Sequence, residues 1–233
     1  RAKLIKELNT EGIPFTEVNS KQFQFTGQPK LTQLSGYQNG DFYIQDIASQ
    51  ATSNFLKPES KSLWWDACAG AGGKSLLLLE NEGIQLEASD IRKKIATQYK
   101  LRMSQMGFQI PCHTLDFKEQ PLELKERYDG ILLDVPCSGS GTWSRNPEYA
   151  HFFSEEKLQE YIATQKEILN AASFYLKPGG ELIFCTCSVF QAENEDQLSP
   201  LVNSGQYKLL QKELIHFPDQ GSDYLFIARL QLN

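Results

Sequence analysis

The sequence predicts an α/β fold built on a mostly parallel sheet, preceded by a small αβ segment. From residue 62 onward, short apolar segments typical of strands alternate with segments whose apolar residues recur at helical spacing. The connectors are short and hold helix-ending residues, such as Gly83, Gly107 and the run 177–180. A strand–helix alternation of this kind requires a mostly parallel sheet with helices on both faces.

The first 44 residues predict the small αβ segment. Apolar residues at helical spacing precede Gly12, which ends the helix, and two strands are expected at 15–18 and 23–25. This segment is too short to form a domain alone. The chain begins at Arg1 without an initiating Met or a signal-peptide pattern. We therefore expect residues 1–44 to be the remnant of, or the linker from, an upstream domain.

The main domain, residues 45–233, is predicted to hold five parallel strands and a closing antiparallel pair. A first helix runs from about residue 46 to Leu56. The five strands follow at 62–68, 84–89, 110–115, 130–135 and 181–185. The connecting helices are expected at 74–81, 91–106 and 154–176, the last capped by Ser154 and ended by Lys177–Gly180. After a helix at 193–202, alternating residues at 207–215 and 224–230 indicate the antiparallel pair.

Composition and charge exclude several classes of protein. The 233 residues contain no run of about 18 apolar residues, so no membrane-spanning segment is predicted. The five cysteines form no CxxC pair and only three histidines accompany them, which argues against a zinc site and a disulfide framework. We therefore expect no metal and a cytoplasmic protein with reduced thiols. The net charge of −6 lacks the basic footprint of most nucleic-acid-binding domains.

The ends of four predicted strands carry either a glycine-rich loop or an acid. The first strand ends in Cys68-Ala69-Gly70-Ala71-Gly72-Gly73-Lys74, whose small residues let the backbone approach a ligand closely. Asp90 ends the second strand, where it can accept both hydroxyls of a ribose. Asp116 follows the third strand, where it can accept an adenine amino group, and Asp134 ends the fourth. Because parallel sheets bind ligands at their carboxyl edge, these four features predict a nucleoside-binding rim.

A P-loop NTPase is the competing interpretation of the same residues. Gly73-Lys74-Ser75 matches the end of a phosphate-binding loop, and the apolar segment 131–133 leads to Asp134 as a magnesium-binding acid would require. A phosphate loop, however, needs a glycine five residues before Gly73, and Cys68 occupies that position. Asp90 and Asp116 would also have no role. Binding of adenosylhomocysteine without magnesium would distinguish the two classes.

Two cysteine motifs carry a resemblance to a known family. The segment 134–142 (DVPCSGSGT) and Thr186-Cys187-Ser188 resemble the paired motifs of the Sun/Fmu-like RNA cytosine-5 methyltransferases, of the RsmB/NOP2/Sun superfamily. The loop 68–74 is similar to that family's first motif, although Ala71 stands where the family usually has proline. The segments 45–50 (QDIASQ) and 145–148 (RNPE) are also similar to family segments, so the resemblance covers about residues 34–233 in the expected order.

The resemblance implies a class I, Rossmann-like methyltransferase fold, S-adenosylmethionine as cofactor and RNA as substrate. Cytosine C5 is a poor nucleophile, and addition of a thiolate to C6 activates it by covalent catalysis. The resemblance assigns Cys187 as that nucleophile and Cys137 as the group that assists release. DNA cytosine-5 methyltransferases attack instead from their Pro-Cys motif. We expect Asp134 to bond the N3 or amino edge of the base, and Lys74 either to orient Asp134 or to lower a thiol pKa.

The other cysteines and tryptophans have simpler interpretations. Cys112 and Cys185 lie within apolar strands, so we expect both in the core, and Cys68 is expected to pack against the cofactor. Trp64 and Trp65 in the first strand are also expected in the core. Two substrate-binding candidates remain open: Arg145 either meets an RNA phosphate or is a solvated loop charge, and Trp143 either stacks on a base or packs internally.

The resemblance thus predicts an RNA methyltransferase that forms 5-methylcytosine. It names the substrate only as a class, with rRNA first and tRNA as the other option. Because the chain is acidic, phosphate attraction has to come from a local basic groove or from an additional RNA-binding domain. We expect a monomer without membrane contacts. The alternative from another class is a non-catalytic RNA-binding or assembly protein that keeps the pocket, which single-turnover methyl transfer would exclude.

Overall fold

The computed structural model describes residues 1–27, 29–119 and 122–233, which form two compact units. The smaller unit holds Arg1–Ile44 together with Leu101–Gln109, and the larger holds Gln45–Lys100 and Ile110–Asn233. The sequence did not predict that residues 101–109 belong to the smaller unit. The origin of residues 1–44 in an upstream domain stays a prediction. In the described residues, no helix has the length and apolar character needed to cross a membrane.

The smaller unit is a helix and a hairpin around an apolar cluster. Helix α1 spans Ala2–Thr10, strand β1 spans Phe15–Glu17, strand β2 spans Phe23–Phe25, and the short helix α2 spans Ser35–Gln38. The strands pair antiparallel, with Phe15 opposite Phe25. Leu8, Leu31 and Leu34 are buried and pack with these phenylalanines. Helix and hairpin therefore share one small core.

The larger unit is built on a seven-stranded sheet with the order β5-β4-β3-β6-β7-β9-β8. Its strands are β3 (Leu63–Asp66), β4 (Gln85–Ser89), β5 (Cys112–His113), β6 (Tyr128–Asp134), β7 (Leu176–Thr186), β8 (Tyr207–Ile215) and β9 (Leu225–Leu232). The first five are parallel to one another, and β9 runs antiparallel to both β7 and β8. The mostly parallel sheet and its antiparallel closing pair are confirmed.

Helices connect these strands as the sequence periodicity predicts. They are α3 (Ile47–Ala51), α4 (Gly73–Leu79), α5 (Lys93–Gln105), α6 (Pro147–His151), α7 (Glu155–Tyr175) and α8 (Glu195–Asn203). The hydroxyl of Ser154 accepts a hydrogen bond from the Lys157 amide, so Ser154 is the predicted N-cap of α7.

Several predicted boundaries are wrong. The first helix, predicted over 46–56, spans only Ile47–Ala51, and the two largest differences concern α7 and β5. Helix α7 ends at Tyr175, and residues 177–180, expected to end it as a turn, lie inside β7. Leu176 is already extended because it pairs with Tyr128, and the ladder shifts register before it resumes at Gly130 opposite Glu181. Strand β5 holds only two residues instead of the predicted six, since β4 pairs with it only at Cys112 and His113. In both places sheet pairing overrides local turn and strand signals.

Trp64 and Trp65 lie in the core, as predicted, on opposite faces of the sheet. Trp65 stacks on Tyr128 with ring centroids 4.9 Å apart and joins the cluster that α7 covers. Trp64 belongs to the cluster on the other face, under α3 and α4. Gly130 is needed there because a Cβ at that position would lie 2.3 Å from the Trp64 ring. The two indoles anchor β3, whose carboxyl end begins the candidate site.

Candidate active site

The carboxyl ends of four parallel strands meet at one edge of the sheet. Asp66 is the last residue of β3, Ser89 of β4, Asp134 of β6 and Thr186 of β7. Strand β3 lies between β4 and β6, so the chain leaves it toward one side of the sheet and returns on the other. Such a reversal of strand order opens the crevice in which α/β sheets bind ligands.

The glycine-rich loop after β3 depends on two left-handed residues. Gly70 has φ +53° and Gly72, the N-cap of α4, has φ +84°, conformations that other residues adopt at a cost. An added Cβ at Gly70 would meet no protein atom within 4 Å, so the space in front of the loop is open. The loop turns back on itself through a 2.8 Å hydrogen bond from the Gly72 amide to the Ala69 carbonyl. Its backbone therefore faces open space at the carboxyl edge.

Asp90 is buried beside this loop, and Asp116 lies further out. The Asp90 carboxylate accepts hydrogen bonds from the Gly70 amide at 3.1 Å and from the Arg92 guanidinium. Burial alone raises the pKa of Asp90, but the hydrogen bonds from Arg92 and Gly70 bring it below its ordinary value. Asp90 is thus an anion next to the glycine loop. Asp116 is half-buried and accepts a hydrogen bond from the Lys118 amide at 3.0 Å.

Lys74 and Asp134 form a buried ion pair. The Lys74 ammonium lies 2.7 Å from the Asp134 carboxylate, and Lys74 is only 7% exposed. Burial by itself lowers the pKa of Lys74, but the charge of Asp134 outweighs it and the net pKa is above the ordinary value. Lys74 is therefore a permanent cation that holds Asp134.

Asp66 is a site residue that the sequence analysis did not single out. One of its carboxylate oxygens accepts a 2.6 Å hydrogen bond from Ser75, and the other is buried and has no hydrogen-bond partner among the described residues. Burial raises the pKa of Asp66 to about 7. Its position as the last residue of the first sheet strand was the available signal.

Cys137 and Cys187 lie on the loops that follow β6 and β7, and the two loops are bonded to each other. The Gly141 amide donates a 2.9 Å hydrogen bond to the Cys187 carbonyl. Burial raises the pKa of Cys187 to about 11; the Asp134 charge adds to this increase and Lys74 opposes it. Burial raises the pKa of Cys137 to about 12, with a further contribution from Cys187. The thiols thus share one electrostatic environment, and both are protonated at neutral pH.

The remaining cysteines differ from this pair. Cys112 and Cys185 are fully buried within strands, as predicted. Cys68 is half-buried, and burial together with Asp66, Asp134 and Asp90 raises the pKa of its thiol. In the described residues, no group of three or more His, Cys, Asp or Glu side chains is arranged to hold a metal ion.

Arg145 and Trp143 both have partners inside the protein. Arg145 makes a bidentate ion pair with Asp223, with 2.7 Å from Nε to the carboxylate, so it is not a freely solvated loop charge. The Trp143 ring packs edge-on against Phe153 and Phe190, at centroid distances of 5.4 and 5.9 Å. Internal packing of Trp143 is therefore present, and contacts of either side chain with RNA stay predictions.

The sheet, the glycine-rich loop and the acids at the carboxyl edge define a class I methyltransferase fold, the class that depends on S-adenosylmethionine. Residues 53–230 match the family model described as 16S rRNA methyltransferase RsmB/F. The chain belongs to this family, which confirms the resemblance drawn from the two cysteine motifs. The P-loop NTPase interpretation is wrong.

Relatives and solved structures agree with this assignment. The chain is 32% identical over 199 residues to ribosomal RNA small subunit methyltransferase B of Klebsiella pneumoniae (strain 342), covering 84% of this chain and 46% of that protein. It therefore spans about half the length of the curated relatives it matches. A methyltransferase homolog from Pyrococcus horikoshii superposes with TM-score 0.79 and 25% identity, over 100% of this chain and 82% of that one. NSun6 from Pyrococcus horikoshii with SFG superposes with TM-score 0.77 and 26% identity, over 88% of this chain and 56% of that one.

Proposed function

We propose that this chain is the catalytic domain of an S-adenosylmethionine-dependent RNA methyltransferase that modifies carbon 5 of a cytosine, in rRNA. The observation that carries the proposal is the placement of Cys137 and Cys187 on two hydrogen-bonded loops beside the Lys74–Asp134 ion pair. Methylation of cytosine at C5 needs one thiol to attack C6 and a further group to assist release of the product. Both requirements have a residue at this edge.

The residues present fit S-adenosylmethionine. Residues 68–73 offer a backbone that is open at Gly70, the buried anion Asp90 suits the ribose hydroxyls, and Asp116 suits the adenine amino group. When bound, S-adenosylmethionine supplies an electrophilic methyl group. The relatives and structural neighbours of this chain support this cofactor, and one neighbour was crystallised with an analogue of it.

The protein's own groups account for the remaining steps. The Cys187 thiol loses its proton to water as its sulfur forms a bond to C6 of the base, and the displaced electron pair makes C5 nucleophilic. Asp134, held by Lys74, bonds the N3 or amino edge and so orients the ring. After C5 has received the methyl group, its proton passes to a water molecule, the C5–H electron pair reforms the C5–C6 double bond, and Cys187 leaves C6 as a thiolate. We assign Cys137 to assist this release.

RNA binding requires positive charge, and the net charge of the whole chain is negative. Its net charge is −6, so we propose that RNA is held by a local cationic surface that includes Arg145, or by an additional RNA-binding domain. Trp143 is proposed to border the substrate site, where its ring or its packing shapes the surface next to a base.

Single-turnover methyl transfer tests the proposed function. Purified protein is mixed with labelled S-adenosylmethionine and a small-subunit rRNA transcript, and the nucleosides are separated by mass spectrometry. We expect labelled 5-methylcytidine, and tight adenosylhomocysteine binding without magnesium. Binding of both ligands without transfer would identify a non-catalytic RNA-binding or assembly protein instead, and a tRNA transcript in a parallel reaction identifies the RNA class.

A further inference from the structure

A fully buried carboxylate lies behind the two cysteine loops. Glu193 is 0% exposed and ends a short 3₁₀ turn, Gln191–Glu193, just before α8. In the described part of the chain, it forms no ion pair with a Lys, Arg or His side chain. A buried carboxylate is costly unless several donors satisfy it, so the identity of its donors indicates what it does.

The donors of Glu193 come from the residues that directly follow the two cysteines. One carboxylate oxygen accepts from the Ser138 amide at 2.8 Å, and the other accepts from the hydroxyls of Ser138 and Ser188. Ser138 follows Cys137 and Ser188 follows Cys187. A single side chain thus binds both loops at equivalent positions.

Further contacts hold the residues on the other side of each cysteine. Gln165 of α7, also fully buried, donates to Glu193 at 3.0 Å and to the Pro136 carbonyl at 2.9 Å. Asn194 donates to the Ser188 carbonyl at 2.9 Å and accepts from the Thr186 hydroxyl. The chain is therefore held immediately before and after each thiol.

The sheet alone does not provide this restraint. The last aligned pair between β6 and β7 is Asp134 with Cys185, and both thiols lie beyond it. Past the end of a ladder, two neighbouring chains keep a fixed separation only where other groups bond them. Glu193 contacts both chains in this region.

We propose that Glu193 is a positioning residue that fixes the separation of the Cys137 and Cys187 thiols, so that both reach the same base. The inference rests on the proposed function, because it gives the two thiols a shared substrate. In this proposal Glu193 acts through the geometry of its hydrogen bonds and not through its charge. An amide of the same shape can accept from the Ser138 amide and donate to the two hydroxyls, which can rotate to accept.

The test compares Glu193→Ala with the conservative Glu193→Gln, and uses Glu195→Ala as a matched control. Glu195 is the carboxylate two residues further on, at the first turn of α8, and faces Lys212. The first readout needs no RNA: dibromobimane becomes fluorescent when it bridges two thiols, and peptide mapping identifies the Cys137–Cys187 bridge. The second is single-turnover methylation with the amount of denaturation-resistant RNA adduct.

We expect Glu193→Gln and Glu195→Ala to behave like the wild type in both readouts. Glu193→Ala should form the bridge more slowly and complete turnover about 10–100-fold more slowly, because a misplaced group costs rate steeply. Its adenosylhomocysteine affinity should be unchanged. Should Glu193→Ala fail to fold, Ser138→Ala and Ser188→Ala each remove one hydroxyl bond to Glu193 and should show the same two defects to a smaller degree.

Three results would overturn the inference: wild-type bridging in Glu193→Ala and in both serine variants, a Gln variant as defective as Ala, or no Cys137–Cys187 bridge in the wild type. A Gln variant that fails would mean that the charge itself is required. Failure of the proposed function is a different result, namely a bridge that depends on Glu193 in a wild-type protein that transfers no methyl group.

Discussion

The residues around Cys187 disfavour its thiolate in the free protein. Burial raises the pKa of this thiol to about 11, and the charges of Asp134, Asp223 and Asp46 act in the same direction. Lys74 is the cation that opposes them. Cys187 is therefore held as a thiol in the free protein, and in this form it reacts slowly with electrophiles because the thiolate is the reactive species.

This electrostatic arrangement predicts how alkylation of Cys187 depends on pH. Below the thiol pKa, the thiolate fraction and the rate with iodoacetamide should rise about tenfold per pH unit, with no plateau between pH 7 and 9. Lys74→Met removes the charge that lowers the pKa, so the profile should move to higher pH. Peptide mass spectrometry separates Cys187 from the other thiols. A plateau near pH 8 would show that the thiol is already activated in the free protein.

Asp90 provides a prediction for the cofactor. Asp90→Ala should weaken adenosylhomocysteine binding by about 1–3 kcal/mol, because the ribose hydroxyls lose their buried acceptor. Arg92→Ala is the matched control, since it removes the guanidinium partner of Asp90 and leaves the carboxylate and its bond from the Gly70 amide in place. Calorimetry on both variants measures the difference. An unchanged dissociation constant in Asp90→Ala would mean that Asp90 is not the ribose ligand.

At the scale of single residues, sequence reasoning found groups that sit at strand ends and missed those defined by long-range pairing. The sequence predicts that Lys74 either orients Asp134 or lowers a thiol pKa, because both residues flank the ligand-binding edge. In the structure the Lys74 ammonium lies 2.7 Å from the Asp134 carboxylate. The partners Arg145 and Asp223 are 78 positions apart, and nothing local indicates that they meet. Glu193 resembles an ordinary helix-start acid until its burial is known.

At the scale of elements, the loop after β6 is held through Gly141. Its amide donates to the Cys187 carbonyl, and its carbonyl accepts from the Tyr224 amide at 3.0 Å. A Cβ at Gly141 would lie 2.5 Å from the Tyr224 carbonyl oxygen. Only glycine lets these three segments approach so closely.

Gly141→Ala should therefore displace the Cys137 loop and destabilise the protein by about 1–3 kcal/mol. The rate of methyl transfer should fall by more than the loss of folded protein explains, because the displaced backbone bonds directly to Cys187. Gly205→Ala is the comparison variant: Gly205 has φ +73° and no described atom within 4 Å of an added Cβ, so it reports backbone strain without a clash, whereas Gly141 has no positive φ and meets only the clash. Urea unfolding and single-turnover rates give the two quantities. Equal losses in both variants would contradict the steric explanation.

Apolar patterning predicted the order and type of the strands and helices well, and failed at boundaries that sheet pairing decides. The end of α7 is the clearest example: a Lys-Pro-Gly-Gly run is a strong turn signal, but Leu176 pairs with Tyr128 and carries the run into β7. The fold class depends on the order of elements, which local errors of this kind do not change.

At the scale of the whole molecule, the proposed function requires an acidic chain to bind a polyanion. Arg145→Ala tests whether this arginine, now paired with Asp223, exchanges that partner for a phosphate. RNA affinity should then fall for every sequence, and the slope of log K against log salt should decrease by about 1. Asp223→Asn is the counterpart, because it releases Arg145 and should not weaken binding. If Arg145→Ala changes neither the RNA affinity nor the salt slope, Arg145 makes only its internal ion pair and does not contact RNA.

The central claim is that two thiols divide one reaction, with Cys187 attacking and Cys137 releasing. The most direct measurement is denaturing electrophoresis of protein mixed with S-adenosylmethionine and unmodified rRNA transcript. We predict that Cys137→Ala accumulates a covalent protein–RNA adduct, since attack and transfer proceed and release stalls. Cys187→Ala should form neither adduct nor 5-methylcytidine. An adduct in Cys187→Ala that is absent from Cys137→Ala would exchange the two roles, and full activity in both variants would contradict the covalent mechanism.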